Sequence, residues 1–208
     1  QAVALHFGIV PEEHRAKLAR ALGENVRRHG YRVTTGFIGS SFLLYALADN
    51  GCFDAACKLL LNEKFPGWLY EVDMGATTIW ERWNSLLPDG TPNPDGMNSY
   101  NHYAYGSMME FVYSRIAGIG AAAPGFAKIR IAPHFCEGLN KVRAEYESMH
   151  GRIAAGYEAA DGKIVYTAEI PEGAEAEIEL PGEAPVSAGG GVYTFERPLP
   201  AAGDAPKS

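Results

Sequence analysis

Cysteine is scarce: Cys52, Cys57 and Cys136 are the three in 208 residues. Their spacing fits no thiolate metal site, and three thiols cannot all pair, so small buried or inert thiols are expected. The six histidines include no HExxH or similar pair, so no protein-bound metal is expected. Positive charge also falls short, with 18 Lys and Arg against 25 Asp and Glu, a net charge of −7. That balance argues against nucleic acid, which wants a basic face. No apolar run approaches the roughly 20 residues of a membrane helix. Gln1 opens inside a helical pattern without a basic n-region, so no signal peptide is visible. The natural chain is expected to begin earlier, which leaves the compartment open.

Nucleotide and nucleophile motifs are missing too. Gly189-Gly190-Gly191 lacks the strand–helix context of a phosphate loop and reads as a turn. Gly39-Ser40-Ser41 lacks the G-x-S-x-G spacing of a nucleophile elbow. There is no convincing repeat, and no cofactor is expected. The 47% hydrophobic content is nevertheless ordinary for a globular protein and supports a sizeable core.

What is present is concentrated between Gly75 and Gly106, GATTIWERWNSLLPDGTPNPDGMNSYNHYAYG. Helical-looking segments flank a loop rich in Pro, Gly, Asn and Asp. Glu81 stands among Trp80, Arg82 and Trp83, and His102 follows twenty-one positions later at the head of an amphipathic helix. Aromatic faces stack on the apolar side of a pyranose, and a carboxylate supplies acid or base chemistry, so the stretch reads as a sugar site. The plainer alternative stays open on these residues alone: Trp80 and Trp83 as core, Glu81 with Arg82 as a solvated ion pair, and His102 as a structural histidine.

The chain up to Ala117 reads as helices. Pro11 suits a first turn, Glu12 and Glu13 suit its positive end, and Leu18, Leu22 and Val26 recur every four residues until Gly30. From Phe37 to Leu47 almost no polar face remains, which predicts a helix buried on all sides. A third helix runs through Ala55 to Leu61, a short segment starts at Pro66, and a fifth helix is expected from Ser99 to Ala117. On it His102, Gly106, Met109 and Tyr113 share one stripe, expected to pack inward beyond His102.

After Ala121–Gly125 the period shortens to two. Strands are expected over Ala127–Ile131, Lys141–Glu147, Arg152–Glu158, Lys163–Ile170 and Ala174–Leu180, with Asp161-Gly162 as a hairpin turn. Short strands so spaced predict an antiparallel β-sandwich. Glu169, Glu175, Glu177 and Glu179 read as its solvated face, and Pro198–Ser208 as a frayed end.

GATTIWERW followed by NSYNHYAYG, with TTGFIGSSFLLYAL upstream and a β-rich tail downstream, resembles the C-terminal part of bacterial α-L-rhamnosidases, the family-78 glycoside hydrolases. The resemblance implies a partial (α/α)6 barrel over residues 1–122, the end of a catalytic domain, followed by a C-terminal β-sandwich over 123–208. It implies hydrolysis of terminal non-reducing α-L-rhamnose from a rhamnose-containing glycoside or oligosaccharide with inversion. Glu81 is then the general base, His102 a substrate-binding residue, and Trp80 and Asn101 further candidates for lining the pocket. The family's general acid lies in an acidic, aromatic-rich motif far upstream, and nothing from Gln1 to Ile79 resembles it. The chain is therefore expected to be a fragment that needs the missing N-terminal part of the same enzyme and is inactive alone. An (α/α)6 glycosidase for another sugar, or a non-catalytic carbohydrate-binding module, are the competing readings.

Overall fold

The computed structural model describes residues 1–200. The expectation for the last residues, 201–208, lies outside the described part. Residues Gln1–Met108 form one compact unit and the residues from Met109 onward another. A helical region is followed by a sandwich of two β-sheets, as the sequence pattern predicts.

The first unit holds α1 (Ala2–His6), α2 (Glu12–Arg28), α3 (Phe37–Ala48), α4 (Phe53–Leu60) and α5 (Trp68–Asp73). In α2 the four-residue apolar rhythm buries Leu22 and Val26, while the other faces stay wet. Asn62, just past α4, donates to the carbonyls of Gly30 and Tyr31 and so ties the end of α2 to the end of α4. The inner turns of α3 are buried from Leu43 to Leu47. Its first turn corrects the expectation of burial on all sides: Ile38 is 74% exposed and Phe37 38% exposed. That turn projects beyond the packed part of the helix and presents Phe37 to the ring of His102.

The expected helix from Ser99 starts late. Ser99–His102 is irregular, ending in an extended His102, a 3₁₀ turn covers Tyr103–Ser107, Met108–Phe111 forms the single α-turn α6, and Val112–Ile116 is a π-turn. His102 spends its N–H on the carbonyl of Ile79 and so caps the helix rather than lying inside it. In the π-turn, Ala117 donates to Val112 five residues back, which rotates the face of the helix. Phe111 and Ile116 are fully buried as a result, whereas Met109 and Tyr113 stay partly exposed, contrary to the stripe expected from uniform α spacing.

In the second unit, β1 (Ile119–Ala121), β2 (Ile129–Ile131), β6 (Ala176–Ile178) and β7 (Val186–Ala188) make one sheet in the order β1-β2-β6-β7. The other runs β3 (Lys141–Ser148), β4 (Gly151–Ala160), β5 (Lys163–Ile170) and β8 (Gly191–Pro198) in sequence. Asp161 and Gly162, both at positive φ, make the two-residue turn between β4 and β5. The sandwich is not wholly antiparallel, because β2 pairs parallel with β6. Parallel neighbours need a long crossover, and β3 to β5 in the opposite sheet provide it. The strands β1, β7 and β8 add to those expected; β1 and β7 are only three residues long, and β8 alternates half-buried with exposed residues and has no fully buried face.

Strand β4 is buried from Ile153 to Tyr157. At Gly156 an added Cβ would lie 2.0 Å from the Val142 carbonyl oxygen, so only glycine lets β3 approach this closely. Glutamates on the solvated faces are ion-paired: Glu169 with Arg152 at 2.7 Å, Glu179 with Arg130 at 2.6 Å, and Glu177 with Lys128. Cys57 and Cys136 are buried and Cys52 half-buried, none of them in a disulfide. Among the described residues no cluster of His, Cys, Asp or Glu is arranged to hold a metal, and no helix is long and apolar enough to cross a membrane.

Candidate active site

Helix α5 stops at a glycine that the geometry requires. Gly75 has φ 85, its N–H reaches the Val72 carbonyl, and the Ala76 N–H reaches the Glu71 carbonyl. This paired closure needs a left-handed residue after the cap, which glycine adopts without strain. The chain then runs through Thr78–Glu81 alongside Ser99–His102.

Backbone bonds knit these two segments together. The Glu81 N–H donates to the Ser99 carbonyl at 2.9 Å, the His102 N–H donates to the Ile79 carbonyl at 2.8 Å, and the Thr78 hydroxyl donates to the Tyr100 carbonyl. The TTIWE and NHY motifs, far apart in sequence, are thereby neighbours in space. Between them the long loop folds on the carbonyl of Ser85, which accepts from the Asn93 N–H, the Asn98 amide and the Tyr100 hydroxyl.

Glu81 is half-buried, and its Oε2 accepts from the Ser99 N–H at 2.9 Å. Its other oxygen has no protein partner among the described residues. One oxygen is anchored and the other is not. His102 is also half-buried, and its Nδ1 accepts a long bond, 3.4 Å, from the Ala104 N–H. An accepting Nδ1 is unprotonated, which puts the proton of the neutral ring on Nε2 as a donor. The imidazole stacks on Phe37 and lies parallel to the ring of Tyr103, 5.8 Å away and 6° apart. Tyr103 is 88% exposed, so the row Phe37, His102, Tyr103 ends in solvent.

Trp80 and Trp83 are both buried. Trp83 stacks on Tyr105 at 4.0 Å and meets Trp68 edge-on, while the Trp68 indole N–H donates to the Tyr105 carbonyl. Trp80 packs edge-on to Tyr100. These rings form the floor beneath the paired segments, in line with the core alternative for the tryptophans. Asn101 is exposed, and its backbone N–H and carbonyl both engage the Ser99 hydroxyl. The open cavity lined by Arg28, His29, Gly30, Arg32, Thr34 and Pro66 includes none of these residues.

One participant escaped the sequence analysis. Glu71, on the same face of α5 as Trp68, is 1% exposed, and its Oε2 accepts from the Trp80 N–H at 3.2 Å. Burial pushes its carboxyl up to about 7, against the lowering effect of that bond. The signal available in the sequence was a carboxylate three residues after a tryptophan on a short helix, where both side chains face the same way.

The family model of the bacterial alpha-L-rhamnosidase 6 hairpin glycosidase domain matches residues 1–116, and that of the bacterial alpha-L-rhamnosidase C-terminal domain matches residues 118–194. An alpha-L-rhamnosidase of Streptomyces avermitilis is 37% identical over 183 residues, covering 88% of this chain and 18% of the relative. One from Formosa agariphila is 37% identical over 179 residues, covering 86% and 19%. The crystal structure of the Streptomyces avermitilis alpha-L-rhamnosidase complexed with L-rhamnose superposes with a TM-score of 0.88 at 32% identity, over 94% of this chain and 21% of that one. The structure of the Aspergillus terreus enzyme gives a TM-score of 0.89 at 33% identity, over 94% and 23%. The chain thus spans 18–19% of the length of these two curated relatives.

Proposed function

The chain belongs to the bacterial α-L-rhamnosidase family, and from that premise we propose that it carries the general-base half of an inverting α-L-rhamnosidase site. The observation that carries the reading is the half-anchored carboxylate of Glu81: Oε2 is fixed by the Ser99 N–H, and the other oxygen is left without a protein partner among the described residues. A general base needs this combination of a fixed direction and an unspent lone pair. Glu81 takes a proton from a water as that water attacks the anomeric carbon of a terminal α-L-rhamnosyl group. The leaving oxygen receives its proton from a carboxylic acid outside these 208 residues, at the separation of about 6.5–9.5 Å that leaves room for the water.

His102 donates from Nε2 to a sugar hydroxyl, with Phe37 holding the ring in plane. Asn101 contributes from the exposed rim and Trp80 from beneath. The division of labour at 122/123, barrel segment before and sandwich after, belongs to the same proposal, as does the need for the remainder of the enzyme. Stereochemistry tests the reading. Proton NMR of sugar freshly released by the complete enzyme from an aryl α-L-rhamnoside should show β-L-rhamnose first. Initial release of the α anomer overturns the inverting assignment.

A further inference from the structure

We propose that Glu71 is the positioning residue for Glu81: its buried carboxyl clamps the Trp80 peptide, and so fixes the stretch of backbone from which the Glu81 carboxylate projects. The inference rests on the assignment of Glu81 as the base.

The backbone groups from Ile79 to Glu81 bond to two different sides. The N–H of Glu81 faces the Ser99–His102 segment and is satisfied there, as is the carbonyl of Ile79. The Trp80 N–H, between them, faces the other way and cannot reach that neighbour. Trp80 is 3% exposed and has little access to water. A buried N–H without an acceptor is costly, and the segment would twist to find one. Glu71 Oε2 is that acceptor.

The clamp sits on a fixed point. The carbonyl of Glu71 closes the end of α5 through Ala76, so the residue is held by its backbone in one direction and reaches the substrate segment with its side chain in the other. The remaining oxygen, Oε1, is buried and has no partner among the described residues. A residue kept only for packing would not bring a carboxyl here, since a leucine fills similar space without an unsatisfied oxygen. The upward displacement of its acidity by burial, to about 7, agrees with a side chain that carries its proton below neutral pH. A glutamine, neutral and of the same length, therefore mimics it.

The test is a double-mutant cycle in the complete enzyme, assayed on an activated aryl α-L-rhamnoside. Glu71→Met removes the acceptor at nearly constant volume. It should lower kcat by roughly 10–100-fold with KM within about twofold, the signature of a misaimed base. Glu71→Gln should stay within about threefold of the parent in kcat, because its carbonyl still accepts from Trp80. The decisive pair is built on Glu81→Gly, where added azide attacks in place of the activated water. There Glu71→Met should change the azide-rescued rate by less than about twofold, since the group it aims is gone.

An equal loss in both backgrounds, or no loss in the parent, overturns the positioning role. If Glu71→Met does not yield folded enzyme, Glu71→Asp, too short to reach Trp80, carries the same cycle. Near-parental turnover by Glu81→Gly, or failure of azide to rescue it, rejects instead the assignment of Glu81 as base and the inference with it.

Discussion

The imidazole of His102 lies 4.7 Å from the ring of Phe37, centroid to centroid, with 16° between the planes. Phe37 begins α3 and His102 caps the 3₁₀ turn, so the contact joins two elements of the helical unit at the candidate site. A stacked ring removes rotational freedom from the imidazole while leaving its edge nitrogens available. Removing Phe37 should therefore loosen His102 without deleting it.

That relationship yields a graded expectation. In the complete enzyme His102→Ala loses a donor to the sugar, worth about 1–3 kcal/mol, or roughly 5–150-fold in kcat/KM. Phe37→Ala should cost less, about 0.5–1.5 kcal/mol from the lost ring pair in this partly exposed site. Steady-state kinetics beside thermal melts check both. If His102→Ala melts the protein but the surviving enzyme keeps its kinetic constants, the histidine is structural.

The proposed place of the general acid, outside residues 1–208, gives a simpler experiment. Purified residues 1–208 should show no turnover of an aryl α-L-rhamnoside, because Glu81 alone cannot protonate the leaving oxygen. Hydrolysis by this segment, abolished by Glu81→Gln to exclude a contaminant, would locate the acid within it.

Glu71 also predicts a pH dependence of stability. Its acidity rises from an ordinary 4.5 to about 7 in the folded protein, because burial disfavours the charge. Between those values the folded state keeps a proton that the unfolded chain has released, so stability falls as pH rises through this window and levels off above it. The total is at most on the order of 3 kcal/mol. Tyr105, its titratable neighbour, stays protonated throughout, since burial and then the Glu71 charge raise its phenol above 10. Thermal midpoints of the complete enzyme and its Glu71→Gln variant at pH 5 and pH 8 check this. The parent should lose more stability than the variant over that interval, and parallel behaviour would contradict it.

The sandwich offers a steric prediction. Gly156→Ala would place a methyl 2.0 Å from the Val142 carbonyl oxygen, a backbone atom held in the β3–β4 ladder. The strands must separate, at a cost of about 2–4 kcal/mol. A thermal midpoint unchanged from the parent would show that β3 yields more easily than its ladder implies.

Much of this was legible because local signals and tertiary packing agree. The rhythm of Leu18, Leu22 and Val26 is a helix in any context, and Asp161-Gly162 with alternating neighbours is a hairpin. Nearness of the TTIWE and NHY motifs was not legible from spacing, since it depends on the N–H of His102 reaching Ile79 across a long loop. Ser99 was missed for the same reason: it acts through its backbone, which every residue has. The late start of the helix follows from that competition, because the Ser99 and Tyr100 carbonyls that would close its first turn accept from Glu81 and Thr78 instead. Glu71 stayed hidden because a glutamate on a short helix is ordinarily a solvated charge.

Glu81→Gln in the complete enzyme can keep the bond from Ser99, since the amide carbonyl accepts as the carboxylate Oε2 does. The amide nitrogen then occupies the other position, where a donor stands in place of the acceptor that the attacking water requires. Binding should survive, with KM within a few-fold, while kcat falls by on the order of 10²–10⁴. Azide needs no deprotonation and should restore turnover on an activated aryl rhamnoside, giving a rhamnosyl azide of inverted configuration. An azide product of retained configuration would point to a nucleophilic carboxylate and a covalent intermediate. Near-normal turnover of the glutamine variant would remove Glu81 from the mechanism, because the substitution preserves its anchor and changes only its capacity to take a proton.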